Sequence, residues 1–250
     1  RPLSIRPYKL GEPKATWMEE ALSKDVNSGL RFRPGPDDCI SCVPCFPLFQ
    51  TDKMRIVGNY TPLNDITRLD LWPCPTVYNS VKKFGSHLYK SVFDAKSGFH
   101  QCAVDKFTSR RTVWITQFSL YAAKCMMLGM KNAMQHFCRV MQTVFRDIPN
   151  AFPHVDDLFQ SADTYEQWFR AFTDTLLKCE TETIYLKTAK LQIAPKELHA
   201  LGQLFTGRTQ RPDPHRFKPI KEIRTPRSTK EAQSVLSLFT FWMKYIPHLQ

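Results

Sequence analysis

The chain has 250 residues, with 35 Lys and Arg against 23 Asp and Glu, so its formal net charge is +12. A hydrophobic fraction of 42% is enough for a packed core and excludes a mainly disordered chain. No segment approaches the ~18–20 consecutive apolar residues of a membrane-spanning helix, and the first residues lack the apolar stretch of a signal peptide. We therefore expect an intracellular protein, cytoplasmic or nuclear. Because the sequence begins with Arg rather than Met, we also expect it to be a piece of a longer protein.

The excess of positive charge predicts a polyanionic partner, of which nucleic acid is the commonest. An acidic membrane surface is the alternative, but the sequence has no basic amphipathic helix of the kind that binds one, so we expect no membrane partner. The 18 prolines and nine glycines follow no repeat, which excludes collagen and solenoid folds.

Hydrophobic periodicity predicts a mixture of helices and strands, the α+β class. In the first half of the chain, a helix is predicted at residues 14–22. Strands are predicted at residues 39–49 and 53–60, on either side of a turn within 91–105, and at 112–120. The last segment is rich in β-branched and aromatic residues, which favour strands.

The clearest helix is predicted at residues 132–146, where one stripe contains Ala133, Phe137, Val140, Met141, Val144 and Phe145. A short apolar segment at 154–159, a helix at 165–179 and strands near 184–186 and 198–205 follow. The basic, proline-rich stretch at 208–227 is interpreted as a linker. It leads to a small helix that begins with a capping box of Ser228 and Glu231 and has one face formed by Val235, Leu236, Phe239 and Trp242.

A C-x-x-C-x-x-C run is formed by Cys39, Cys42 and Cys45. Such a run could hold a metal ion or an iron–sulfur cluster, but a fourth ligand at a regular spacing is missing. The surrounding segment is also typical of a buried strand, where cysteine acts as a small hydrophobic residue. We favour the strand with reduced thiols and keep the metal as the alternative.

Three aspartates stand apart from the apolar pattern. Asp94 follows a strand-like segment, and Asp156 and Asp157 lie side by side in the apolar segment at 154–159. Neighbouring like charges in apolar surroundings are costly unless a cation binds them, so the aspartates could hold Mg²⁺ through oxygen ligands. Two such ions about 3.5–4 Å apart would serve phosphoryl or nucleotidyl transfer. The alternative is that the pair lies in a solvated turn.

A series of motifs surrounds these aspartates along the chain. They read Lys53-Met54-Arg55-Ile56-Val57 with Asn59-Tyr60 and Leu63-Asn64, then Phe93-Asp94-Ala95-Lys96-Ser97-Gly98-Phe99-His100-Gln101, Leu128-Gly129-Met130-Lys131-Asn132-Ala133, Val155-Asp156-Asp157, Lys190, Leu201-Gly202 and Ile246-Pro247-His248-Leu249. In this order they resemble the reverse transcriptase domain of long-terminal-repeat retroelements, gypsy-type retrotransposons and foamy-type retroviruses in particular. The resemblance covers nearly the whole chain.

The resemblance implies a right-hand polymerase fold, in which the palm is an antiparallel sheet packed on helices. Residues 1–90 would form the fingers and the start of the palm, and 91–111 the palm. Residues 112–130 would be a crossover between fingers and palm, 131–205 the palm again, and 206–250 a linker and a partial helical thumb.

The resemblance also assigns the catalytic roles. Asp94 and Asp156 would bridge two Mg²⁺ ions, for which Mn²⁺ can substitute, with Asp157 beside them and the Ala95 carbonyl as a further oxygen ligand. Lys190 matches the family's lysine near the pyrophosphate and would be a general acid. The plainer alternative for Lys190 is a solvated surface charge.

The nucleotide-binding residues follow from the same resemblance. Arg55 and Lys53 would hold the incoming triphosphate. Phe99 would leave no room for a 2′-hydroxyl group, and Gly129, next to Leu128, would let the template–nucleotide pair approach the backbone. The plainer alternatives are a core aromatic for Phe99 and a turn glycine for Gly129.

Several positions depart from the family pattern. His154 replaces the tyrosine before the aspartate pair, and the family's Asp-Tyr-Arg reads Asn59-Tyr60-Thr61. The Pro-Phe-Gly of the nucleotide pocket reads Met127-Leu128-Gly129, and Met134 replaces a proline. These positions shape the pocket, whereas the three aspartates that would bind metal are present.

Our leading hypothesis is an RNA- and DNA-templated DNA polymerase that joins dNTPs to a primer 3′-hydroxyl group. The alternative is a domesticated, catalytically weak copy that binds nucleic acid as a structural part of a ribonucleoprotein. Expected partners are an RNA or DNA template with its primer, dNTPs, and RNase H or integrase domains of a parent polyprotein. The template path would be lined by Lys53, Arg55, Lys82, Lys83, Arg110, Arg111 and residues 208–227.

Overall fold

The computed structural model describes residues 3–50, 53–217 and 223–242. The chain divides into two compact units. The first consists of Arg1–Cys74, Ala95–Val144 and Cys179–Leu186, and the second of Pro75–Asp94, Phe145–Lys178 and Lys187–Gln250. None of the helices in the described ranges is long and apolar enough to cross a membrane.

Helices lie between runs of mainly antiparallel strands along the chain, which places the fold in the α+β class. The helices are α1 (Lys14–Asn27), α2 (Thr61–Ile66), α3 (Val77–Gly85), α4 (Lys106–Ser109), α5 (Ala133–Phe145), α6 (Tyr165–Thr181) and α7 (Thr229–Trp242). The strands are β1 (Arg31–Phe32), β2 (Cys42–Gln50), β3 (Lys53–Gly58), β4 (Tyr89–Asp94), β5 (Val113–Ile115), β6 (Leu120–Ala123), β7 (Ala151–His154), β8 (Asp157–Ala162), β9 (Gln192–Ile193), β10 (Leu198–Ala200), β11 (Gln203–Thr206) and β12 (Thr209–Pro212).

The first unit contains a five-stranded sheet with the order β1-β6-β5-β2-β3. Helix α1 places Met18 and Leu22 against one face of this sheet, in a core that also contains Trp114 and Tyr121. The Trp114 indole donates a hydrogen bond to the Tyr60 hydroxyl at 2.7 Å, which satisfies both buried polar groups.

Strand β2 confirms the strand interpretation of the cysteine run. Cys42 packs with Val113 in a small apolar cluster, whereas Cys45 belongs to the core against α1. Residues three apart in a strand point to opposite faces, so these thiols cannot converge on one ion. Burial also raises the pKa of Cys45 to about 12, and a thiol that stays protonated is a poor metal ligand.

The second unit contains two antiparallel sheets, with the orders β7-β8-β4-β9 and β10-β11-β12. Its core is aromatic, because Phe84 of α3 meets Phe159 of β8 and Phe205 of β11 edge-on at ring-centroid distances of 4.9 and 5.0 Å. This packing joins α3 to both sheets.

The longest predicted helices are confirmed, whereas four predicted strands are corrected. The strand near 198–205 is a hairpin of β10 and β11, because Leu201 and Gly202 have φ of +51° and +72° and form a turn between them. The second strand expected within 91–105 is a 3₁₀ turn at Gly98–Gln101, since Ser97 adopts a left-handed conformation with φ of +51° and ends the extended backbone. Near 184–186 only an isolated bridge from Leu186 to Ala95 forms. The strand at 112–120 is two strands, because the Thr116 hydroxyl accepts hydrogen bonds from the amides of Phe118 and Ser119 and makes a turn.

The predicted linker at 208–227 is also corrected. Its first residues form β12, which pairs antiparallel with β11 from Thr206–Thr209 to Gln203–Pro212. The capping box at α7 is modified, because the Ser228 hydroxyl accepts from the Glu231 amide at 3.2 Å while the Glu231 carboxylate accepts from Arg227 instead of Ser228. The side chain of Trp242 and the motif Ile246-Pro247-His248-Leu249 lie outside the described residues.

Candidate active site

Antiparallel pairing in the second unit brings the three aspartates to one end of a sheet. Strand β4 ends at Asp94, whose partner in β8 is Asp157. Strands β7 and β8 form a hairpin in which His154 pairs with Asp157, so Val155 and Asp156 make a two-residue turn. Carboxylates that are about sixty residues apart in sequence therefore face the same edge of the sheet.

The turn that carries Asp156 is strained. Val155 has φ of +53°, a conformation that two-residue hairpins normally give to glycine and that a β-branched residue rarely adopts. Strain of this kind costs about 1–3 kcal/mol and is concentrated at functional sites.

His154 anchors the same hairpin. Its Nδ1 lies 2.9 Å from the hydroxyl of Ser80 in α3. Burial lowers the pKa of His154, so the ring is neutral at pH 7. His154 therefore ties the hairpin to α3 without adding a charge.

The charges at this site are unbalanced. Burial, followed by the charges of Asp94 and Asp156, raises the pKa of Asp157 to about 6. Burial and Asp94 also raise the pKa of Asp156, and the buried Oδ1 atom of Asp156 has no hydrogen-bond partner in the described part of the chain. Such an atom is costly to bury unless a ligand satisfies it.

Lys190 supplies one positive charge to this cluster. Its Nζ lies 2.6 Å from Oδ2 of Asp94, and this hydrogen bond raises the pKa of Lys190, which therefore remains an ammonium group. Three carboxylates against one ammonium leave a net charge of −2 when all are ionised.

The donor set fits a divalent hard cation such as Mg²⁺, which prefers carboxylate oxygens. The unpaired Oδ1 of Asp156 is a free ligand atom for it. The oxygen atoms of the three carboxylates lie farther apart than the ligands of a single closed metal site. Across residues 3–50, 53–217 and 223–242, only His199, Asp213 and His215 bring three potential ligand atoms within 4.8 Å of one another.

An open cavity of about 400 Å³ lies beside the cluster in the second unit. Asp94, Asp157 and Lys190 line it together with His199 of β10. The sequence motifs gave no role to His199, because a lone histidine two residues before Leu201-Gly202 has no recognisable spacing to the aspartates.

Replacing Asp157 with Asn should make the metal-free protein more stable at pH 8. The pKa of Asp157 is raised from its ordinary value of 3.8 to about 6, so the folded state binds a proton there more tightly than the unfolded chain does. The free energy of unfolding therefore falls as the pH rises through this range. Asp157→Asn removes this penalty, so we expect a gain of about 1–2 kcal/mol at pH 8, discounted for partial hydration, and a smaller gain at pH 5.

Urea unfolding in EDTA at both pH values measures this difference. Added Mg²⁺ should then stabilise the wild type more than Asp157→Asn. A variant that is less stable than the wild type at pH 8 would show that repulsion among the carboxylates does not destabilise the folded state.

The six predicted nucleotide-binding positions belong to the first unit. Arg55 is an exposed residue of β3, and Lys53 is the first residue of that strand. Ala95 is buried, and Phe99 lies in the 3₁₀ turn, where its ring meets Phe137 of α5 edge-on at 5.3 Å. The turn at 128–131 contains exposed Leu128 and Gly129, whose φ is +90°.

Asn64 holds this turn in place, a role that the sequence motifs did not reveal. Its Nδ2 donates to the carbonyl oxygen of Gly129 at 2.9 Å, and its Oδ1 accepts from the amide of Lys131 at 2.9 Å. Asn64 belongs to the Leu63-Asn64 motif of the sequence, but only the fold shows that it contacts Gly129.

Gly98→Ala should destabilise the first unit. A Cβ atom at position 98 would lie 2.6 Å from Cζ of Phe137, whose ring is buried and cannot move away freely. Overpacking of this kind costs about 1–3 kcal/mol. Gly35→Ala is the matched control, because its Cβ would meet no atom within 4 Å and its φ of −74° suits any residue. Equal midpoints of thermal unfolding for the two variants would contradict the steric argument.

The sequence and the fold of this chain are similar to those of known proteins. The family model described as "Reverse transcriptase (RNA-dependent DNA polymerase)" matches residues 45–205. The retrovirus-related Pol polyprotein from transposon 297 of Drosophila melanogaster is 26% identical over 99% of this chain, which covers 24% of that polyprotein.

Solved structures of foamy viral protease-reverse transcriptase are similar in fold. One form in complex with double-stranded DNA gives a TM-score of 0.90 at 20% identity over 100% of this chain and 44% of that chain. The complex with an RNA/DNA hybrid gives a TM-score of 0.82 at 20% identity over 97% of this chain and 32% of that chain. The likeness confirms the right-hand polymerase fold. The chain spans less than half the length of each of these three proteins, from 24% to 44%.

Proposed function

The chain belongs to the reverse transcriptase family, and we propose that it is the polymerase domain of a long-terminal-repeat retroelement. It would join a deoxynucleotide to a primer 3′-hydroxyl group, copying an RNA or DNA template. The observation that carries the proposal is the cluster of Asp94, Asp156 and Asp157, whose like charges and unpaired Oδ1 atom are unfavourable without a bound cation.

These three aspartates would hold two divalent ions, Mg²⁺ or Mn²⁺, with the Ala95 carbonyl as a further ligand. When bound, such ions lower the pKa of the attacking hydroxyl and offset charge on the leaving pyrophosphate. Lys190 holds a proton on Nζ next to Asp94, so it could donate that proton to the leaving group. The strained turn at Val155 would keep Asp156 directed at the reacting atoms.

The remaining roles are assigned to the first unit. Arg55, exposed on β3, and Lys53 would hold the triphosphate. Phe99, backed by Phe137, would exclude a 2′-hydroxyl group. The backbone of Leu128 and Gly129, held by Asn64, would receive the template–nucleotide pair.

A primer–template duplex is the proposed partner. The related foamy viral structures hold double-stranded DNA or an RNA/DNA hybrid, and this chain carries a net charge of +12. Lys82, Lys83, Arg110, Arg111 and Arg208 would neutralise phosphates, so binding should weaken steeply with salt. Because the relatives are polyproteins, RNase H and integrase domains are expected neighbours in the parent protein.

Primer extension tests the proposal. The chain is incubated with a DNA primer on an RNA template, the four dNTPs, and Mg²⁺ or Mn²⁺. We expect extension that EDTA abolishes. Salt-dependent binding of the duplex without extension under either metal would instead support the structural role in a ribonucleoprotein.

A further inference from the structure

The three-stranded sheet of the second unit brings two histidines and an aspartate together. His199 is the middle residue of β10 and pairs with Leu204 of β11. Asp213 directly follows β12, and its amide donates to the carbonyl oxygen of Gly202 at 3.2 Å, which holds the end of β12 at the turn between β10 and β11. His215 lies in the 3₁₀ turn Pro214–Phe217 that comes next.

The three side chains are close enough to share one ion. Nδ1 of His199 lies 3.0 Å from Oδ2 of Asp213, and the two imidazole rings have centroids 5.6 Å apart. One potential ligand atom from each residue falls within 4.8 Å of the other two. Ligands at about 2.0–2.1 Å in a tetrahedral zinc site are roughly 3.3 Å apart, so small side-chain rotations would close the set.

Hydrogen bonds hold Asp213 in place beside both histidines. Its Oδ1 accepts a hydrogen bond from the His215 amide at 3.0 Å, while its Oδ2 faces His199. The side chain is only 13% exposed, so its orientation costs little further entropy when a cation binds.

We propose that His199, Asp213 and His215 form a second metal site, which binds a transition-metal ion of the Zn²⁺ type. Two imidazole nitrogens and one carboxylate oxygen suit Zn²⁺ or Co²⁺, whereas Mg²⁺ prefers oxygen ligands alone. Both histidines are exposed, so water can complete the coordination. The site therefore differs in metal preference from the aspartate cluster.

The site has a direct connection to the proposed active site. His199 also lines the cavity that contains Asp94, Asp157 and Lys190. An ion held by all three ligands would tie β10 to the segment after β12, so it would stiffen one wall of that cavity. The plainer alternative is that His199 and Asp213 form only a surface ion pair when the histidine is protonated.

Cobalt binding to the full chain tests the proposal at pH 7.5. Co²⁺ bound through nitrogen and oxygen ligands should give a visible absorption band, and Zn²⁺ should displace it. The variants His199→Gln and His215→Gln should each weaken Zn²⁺ binding at least about tenfold in competition with a chromophoric chelator. His136→Gln is the matched control, because this exposed histidine of α5 lies in the first unit.

Asp156→Asn separates the two sites, since it should leave Zn²⁺ binding unchanged. Circular dichroism confirms that each variant is folded. The proposal is overturned if Co²⁺ gives no protein-dependent band, or if His199→Gln and His136→Gln bind Zn²⁺ equally. Loss of Zn²⁺ binding in Asp156→Asn would also overturn it, because the ion would then lie at the aspartates.

Discussion

Asp156→Asn should slow nucleotide incorporation at least about a thousandfold, since losing a metal ligand removes several kcal/mol of charge stabilisation and each 1.36 kcal/mol is tenfold in rate. The fold should be unaffected. Asn has the shape of Asp, the Oδ1 atom of Asp156 makes no hydrogen bond in the described structure, and the change removes a charge next to Asp157. Single-turnover extension of a labelled primer measures the rate.

Asp147→Asn is the matched control for this prediction. Asp147 belongs to the same unit, its side chain is 76% exposed, and it pairs only weakly with Arg146 at 3.5 Å. This variant should keep the wild-type rate and the wild-type affinity for the duplex. If Asp156→Asn also kept the wild-type rate, Asp156 could not be a ligand for the reactive metal.

Phe159→Ala should destabilise the second unit by about 3–5 kcal/mol, the usual cost of emptying a buried phenylalanine site. The ring is fully buried, contacts Phe84 edge-on at 4.9 Å and stacks on Phe152 at 5.7 Å. Domains of ordinary stability have about 5–15 kcal/mol in total, so this is a large fraction. Because Phe159 is two residues beyond Asp157 on β8, activity should fall at temperatures where the unit begins to unfold.

Urea unfolding followed by circular dichroism measures the loss. The control is Phe169→Ala on α6, where the ring is 52% exposed and the cost should be less than about 1 kcal/mol. Similar unfolding midpoints for the two variants would mean that the aromatic cluster does not stabilise the sheet that carries the aspartates.

Long periodic segments explain which elements the sequence could predict. Helices α5 and α6 differ from their predicted bounds by one or two residues. An apolar stripe that repeats over several turns is compatible only with a helix. Strand β12 was hidden because Thr209–Pro212 is polar and contains a proline, and only its pairing with β11 makes it a strand. The sequence did contain a start signal for helix α3, which was not predicted. Thr76 is its N-cap, and the Thr76 hydroxyl accepts a hydrogen bond from the Asn79 amide.

The aspartates could be predicted through their motifs, but the geometry of the site could not. The register that sets Asp94 opposite Asp157 comes from strand pairing, and a left-handed Val155 contradicts local preference. The group of His199, Asp213 and His215 matches no metal-binding spacing, since a three-stranded sheet connects its members. Contacts made by tertiary structure leave little trace in a single sequence.

Incorporation of a single nucleotide tests the central claim most directly. Four reactions, each with one dNTP, a DNA primer, a defined RNA template and Mg²⁺, show whether the chain adds the base that the template specifies. We predict that only the complementary dNTP extends the primer by one residue, and that EDTA or Asp156→Asn abolishes the product. No product above the Asp156→Asn level, or addition that ignores the template base, would contradict the assignment of this chain as a reverse transcriptase.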